Sequence, residues 1–336
     1  MKKHKICKIL LVILAIFLCV AFYELLGICV AYKKQPEVSN TTKKETKNGS
    51  WNECSENTER AVIIEKNPEA LLQRVRLIKN AKKEIVLSTF AFQSDESGKL
   101  ILGALHDAAD RGVHIRLLVD GMESWIDMEG NPYFYGLSSH ENVEIKLYNK
   151  ANPLKPWKMM GRMHDKYLIA DGKRYILGGR NTYNYFLGDF PGHKNYDRDV
   201  LVVCDEPEKE NSVNQLLEYF ETIWEQEDSG YFHDNKKLAN RKSVKNAVLE
   251  LQNGYQKYFE ENKERICDTD YTDETFETEK IALVSNPIHT GPKEPVVWYQ
   301  LGELMKNAKE RVKIHTPYII CNDMMYNTWK EIAERV

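Results

Sequence analysis

His164 and Lys166 stand two residues apart at the head of the run Tyr167-Leu168-Ile169-Ala170. If the strand that this β-branched and aromatic run predicts includes them, they project from one face, with Asp165, Tyr167 and Ile169 on the other. Asp171-Gly172 then turns the chain, because an Asp-Gly pair between two apolar runs is a hairpin signal. The return strand, residues 174–177, carries Gly178, Gly179 and Asn181 back towards His164. A nucleophile, a cation and an amide donor thus gather in one patch.

Those residue types suit attack on a phosphodiester. A neutral imidazole, with an ordinary pKa of about 6.5, attacks phosphorus near neutral pH and leaves a covalent phosphohistidine, which splits one displacement into two easier ones. Lys166 supplies positive charge for the oxygens of the five-coordinate transition state, and Asn181 a neutral donor. Gly178 and Gly179 carry no side chain, so a phosphate is expected to approach their backbone. The arrangement calls for no metal and no cofactor.

The spacing H-x-K-x4-D-x6-G-G-x-N, formed by His164, Lys166, Asp171, Gly178, Gly179 and Asn181, fixes six positions over eighteen residues. It resembles the HKD motif of the phospholipase D superfamily. Residues 67–122 resemble the opening helix, strand, helix and strand of a phospholipase D lobe. Tyr196-Asp197-Arg198-Asp199-Val200 and residues 212–224 resemble its acidic strand and closing helix. The Arg-Met-His lead-in and the Gly-Gly-Arg-Asn ending look most like the bacterial cardiolipin synthases of the C type.

The resemblance implies a mixed sheet flanked by helices and a phosphatidyl transfer between lipid alcohols. Membrane phospholipids, with a phosphatidylglycerol-like donor and acceptor, are then the partners. Asp197 and Asp199 alternate ahead of the apolar strand 200–203, and by family position Asp199 is expected to accept a hydrogen bond from the second nitrogen of His164. Asp171, in the turn, is expected to hold the hairpin rather than move a proton. A nuclease or general phosphodiesterase uses the same motif. The net charge of −3 and the pI near 6.3 disfavour a nonspecific nucleic-acid binder, and no basic strip interleaved with stacking aromatics is evident.

The chain has 336 residues, 42% apolar and 29% charged, enough for at least one sizeable core. Residues 9–23 are uniformly apolar, and 25–32 continue the run after Glu24. Together they reach the ~20 residues that cross a bilayer, so 1–32 is expected to be a membrane anchor. Lysines flank the run on both sides, so charge bias does not decide orientation; an inside N-terminus and an outside body are favoured. Cys54, Cys204, Cys267 and Cys321 lack C-x-x-C spacing.

Residues 33–60 read as a polar linker, with Trp51 marking where it comes to rest on something. Residues 61–225 form the first lobe: helices over 68–80 and 99–111, strands over 85–92, 114–119 and 143–148, then the hairpin. Trp125, Tyr133, Phe134, Tyr135 and Trp157 are expected in connections, where packing competes with a membrane-facing rim. His106, His114, His140 and His193 lack ligand spacing. Residues 226–280 are expected to be a charged inter-lobe insertion with a surface helix over 244–266.

Residues 77–90 are echoed at 304–317, an offset of 227 residues, so 281–336 reads as the start of a second lobe, with Thr316-Pro317-Tyr318 ending its first strand. By the same offset a second H-x-K is expected near residue 391, roughly. Three readings follow: a piece of a longer two-lobe enzyme, a homodimer that pairs its His164 residues, or an inactive form.

Overall fold

Short β-branched runs that alternate with amphipathic helices must bury their apolar faces in layers. The computed structural model describes residues 2–48, 59–207, 211–233, 235–316 and 318–336, so Trp51, Cys54 and Pro317 fall outside the described residues. The apolar N-terminal run forms one helix, α1 (Lys2–Ala31), followed by α2 (Asn40–Asn48) where the sequence predicts only a linker. Thr42 bonds Glu294 at 2.6 Å and holds α2 to the body.

The body follows in the order β1 (Arg60–Ile64), α3 (Asn67–Asn80), β2 (Glu84–Thr89), α4 (Glu96–Asp110), β3 (His114–Asp120), α5 (Glu123–Asp127), α6 (Pro132–Ser138) and β4 (Val143–Tyr148). Then come β5 (Tyr167–Ala170), β6 (Arg174–Gly178), β7 (Asp199–Val203), α7 (Ser212–Trp224), β8 (Ser229–Tyr231), α8 (Lys242–Glu261), α9 (Lys263–Cys267) and β9 (Phe276–Glu277). Helices α10 (Val296–Lys306) and α11 (Asp323–Ala333) close the chain. Local signals account for several starts. Asp95 caps α4 by accepting from Gly98 N, and Asn131 caps α6 by accepting from Tyr133 N, with Pro132 in the first turn.

Among the described residues nine strands form one sheet, in the order β8-β4-β3-β2-β5-β6-β7-β1-β9. β2, β3 and β4 run parallel, and β5 turns antiparallel against β2. One face packs Ile85, Leu117, Ile145, Leu168 and Leu201 against the layer of α3, α4, α6 and α8. The opposite face packs Val86, Tyr167, Ile169 and Val202 against Leu216 and Phe220 of α7. The fold class is the expected one, a mixed sheet between helical layers.

Three expectations need correction. Residues 226–280 are an integral part of the body: β8 and β9 end the sheet, and Val244, Leu251, Tyr255 and Phe259 of α8 are buried. The charge there belongs to the outer face of an amphipathic helix, and the helix expected over 244–266 breaks at Asn262 between α8 and α9. Tyr133, Phe134 and Tyr135 lie on α6, with Phe134 in the core. Finally, no strand forms over 311–316, where the repeat predicts one.

Candidate active site

The parallel strands β2, β3 and β4 end on one side of the sheet, and the H-x-K segment crosses that side before it enters β5. A crevice at the carboxyl ends of parallel strands beside a change of strand direction is the usual ligand position in α/β sheets. His164 and Lys166 precede β5 rather than lying within it, yet the alternation holds. Asp165 continues the face of Tyr167 and Ile169 and accepts a 2.7 Å hydrogen bond from Tyr219 Oη on α7.

His164 is exposed, and its ring packs against Phe90, just past β2, with centroids 4.6 Å apart. Lys166 is buried; its Nζ donates to the His164 carbonyl oxygen at 2.7 Å and lies 5.3 Å from the Phe90 centroid. Burial, then the Lys166 charge, pushes the His164 pKa below its ordinary value, against the pull of Asp120. Burial brings Lys166 down to about 8, although Asp165, Asp197 and Asp120 favour its charged form. The pair therefore offers a neutral imidazole beside a cation held in a partly dry setting.

The path into His164 is tied down by residues outside the expected set. Asp120, fully buried at the end of β3, accepts from Met163 N at 3.0 Å and from Arg162 Nε at 3.1 Å, with a further close contact to Arg162 Nη2. Asn149 Nδ2 donates to the carbonyls of Lys158 and Gly161 at 2.7 and 2.8 Å, closing the loop that precedes the motif. Val119-Asp120-Gly121, an acid where a parallel strand ends, is the sequence signal for Asp120; Phe90 carries none.

The remaining motif residues have structural partners. Asp171, left-handed at φ 54°, accepts from the backbone N–H groups of Lys82, Lys83 and Glu84 at 2.8, 2.7 and 3.0 Å. It holds the entrance of β2 as well as the turn. Asn181 Oδ1 accepts from Ala91 N at 3.2 Å, beside the residue that packs on His164. Asp199 is buried between Arg74 and Arg180, at 3.0 and 3.2 Å, and this ion pairing replaces the expected bond to His164.

Gly178 and Gly179 are also not open ground for a phosphate. A Cβ at Gly178 would meet Asp199 Oδ1 at 2.1 Å, and one at Gly179 would meet Asp197 Oδ2 at 2.1 Å. The glycines make room for the two carboxylates. His106, His114 and His140 bond to surface carboxylates, and His193 is exposed beside the Tyr185 ring.

Beside the motif a cavity of about 400 Å³ opens, lined among others by Tyr148, Lys166, Tyr219, Leu283, Ile288 and Lys293. Burial raises the Asp165 pKa and lowers that of Lys293, whose partner in charge is Asp165. The cavity thus carries apolar walls and the Asp165–Lys293 pair close to His164.

Residues 74–224 match the family model described as cardiolipin synthase, PLD-like domain. An uncharacterized protein of Helicobacter pylori is 28% identical over 298 residues, covering 80% of this chain and 56% of the relative. Cardiolipin synthase C of Escherichia coli is 29% identical over 171 residues, covering 47% of this chain and 34% of the relative. Among solved structures, NucT from Helicobacter pylori is similar with a TM-score of 0.41 and 18% identity, covering 52% of this chain and 99% of that one. The chain spans about half the length of the first of these relatives. With its motif, sheet and helical layers, the matched segment 74–224 is a domain of the phospholipase D superfamily, whose members handle phosphodiesters.

Proposed function

We propose that the chain is a membrane-anchored phosphatidyltransferase of the cardiolipin synthase kind, acting through a phosphohistidine on His164. The observation that carries this is the exposed His164 ring held neutral beside the buried Lys166 ammonium. The free ring nitrogen attacks the phosphorus of a phosphatidyl donor, an N–P bond forms, and the P–O bond to the leaving alcohol breaks. That alcohol takes up a proton as it leaves. The acceptor alcohol then attacks the adduct, loses its proton, and releases His164.

Lys166 neutralises the phosphoryl oxygens, and Asn181 adds a neutral donor beside Phe90. A second histidine, from another lobe or another copy of the chain, is the natural proton donor. The lipid substrate is supported by the apolar helix α1 and by the two cardiolipin synthase descriptions, of the family model and of the Escherichia coli relative.

The test is to incubate the full chain with labelled phosphatidylglycerol, quench in alkali, and map the adduct. Label on His164, absent from His164→Asn, is the expected result. Label on another residue refutes the nucleophile. Label on His164 from a dinucleotide but none from lipid replaces the lipid reading by a nuclease.

A further inference from the structure

We propose that the loop from Asn149 to Arg162 is an interfacial foot that sits in the lipid headgroup layer and sets the height of His164 above the bilayer. The inference rests on reading α1 as the membrane span and is independent of the reaction. The apolar window of α1 runs Lys5–Ala31, 27 residues of mean hydropathy 2.9 in its best stretch. At ~1.5 Å per residue that is roughly 40 Å of helix, longer than the ~30 Å hydrocarbon layer, so the last turns lie at the level of the headgroups and upper acyl chains.

The loop packs against those turns. Tyr23 Oη donates to the Leu154 carbonyl at 3.0 Å. Gly27 faces Pro156 so closely that a Cβ there would lie 2.5 Å from Pro156 Cγ. Leu154, Trp157 and Met160 of the same loop are 78%, 45% and 58% exposed. Three large apolar side chains in a single short loop are unfavourable in water and favourable in an interface, where a tryptophan also finds partners for its indole N–H. Lys155 in the loop and Lys33 and Lys34 just past α1 are exposed and placed to meet anionic headgroups.

The foot is rigidly joined to the nucleophile. Asn149 closes the loop through the carbonyls of Lys158 and Gly161, and Arg162 Nη1 donates back to the Asn149 carbonyl at 3.1 Å. Asp120 then grips Arg162 and Met163 next to His164. A phosphodiester held at headgroup depth therefore meets the His164 ring without leaving its leaflet.

The test uses the full chain in protein-free vesicles of phosphatidylglycerol and phosphatidylcholine, with bromine placed at shallow or deep acyl positions, and reads tryptophan quenching. Shallow bromine should quench more than deep bromine, and Trp157→Phe should lose the larger share of that quenching. Gly27→Leu, which separates α1 from Pro156, should reduce it as well while the chain still resists carbonate extraction. A chain stripped from vesicles by carbonate overturns the span and the foot together. A chain that stays, with quenching unchanged in Trp157→Phe, overturns the foot alone, and neither readout depends on turnover.

Discussion

Residues 77–89 and 304–316 carry similar sequences, identical at six of thirteen positions, and end in different structures. In the first copy a helix leads into β2, where Ile85, Val86 and Leu87 are buried between β3 and β5. In the second, α10 forms, but Val312, Lys313 and Ile314 make no strand, and Ile314 is 54% exposed. The helix answers to local propensity and one packed face. The strand answers to neighbours, and among the described residues the second copy has none.

Two further contacts of the first copy have no counterpart at the repeat offset of 227. Asp171 binds the N–H groups of Lys82, Lys83 and Glu84, whereas no hydrogen bond to Lys309, Glu310 or Arg311 occurs among the described residues. Arg74 of α3 reaches Asp199, whereas Leu301 stands at the equivalent place. The HKD aspartate thus stabilises β2, the strand that leads to Phe90, and the acidic strand ties α3 to the glycines.

The contrast can be broken most forcefully at Asp199. Asp199→Ala leaves Arg74 and Arg180 buried without their anion and should destabilise the body by about 3–5 kcal/mol, read as a lower urea midpoint. Next, Leu87→Ala should cost about 3 kcal/mol and Ile314→Ala less than about 0.5, since only the first removes buried volume. Equal costs would mean that the second copy also forms a packed strand.

Asp171→Asn keeps a residue that tolerates left-handed backbone while weakening three charge-assisted bonds, and should cost about 2 kcal/mol. The smallest effect belongs to the His164–Lys166 site. Lys166 is lowered to about 8 and His164 is lowered from its ordinary value. In the proposed reaction, attack needs a charged lysine and a neutral histidine. The rate of adduct formation should therefore fall above pH 8, by up to about tenfold per unit, and hold at pH 6.5 before failing in more acid solution. A rate that climbs steadily through pH 9 would remove Lys166 from the role of cation.

Much of the first lobe was readable because its signals are local. The strand 143–148 and the Asp-Gly hairpin lie where periodicity and turn chemistry put them, and the helix over 212–224 lies where the family resemblance put it. What escaped depends on distant partners. β8 and β9 are three and two residues long and pair with β4 and β1, which lie far away in sequence. Asp199 alternates as expected, but its company is decided by Arg74 and Arg180, from another helix and the turn after β6. For Gly178 and Gly179 the type was read correctly and the occupant was not: the room they leave holds carboxylates.

The short strands β8 and β9 have a practical consequence. The family match stops at residue 224, whereas the two ends of the sheet are covered by residues 229–231 and 276–277. A chain cut at the end of α7 would leave β4 and β1 with rows of unpaired backbone amides and carbonyls. Such rims template intermolecular strand addition, so that shorter protein should aggregate while keeping an intact HKD motif.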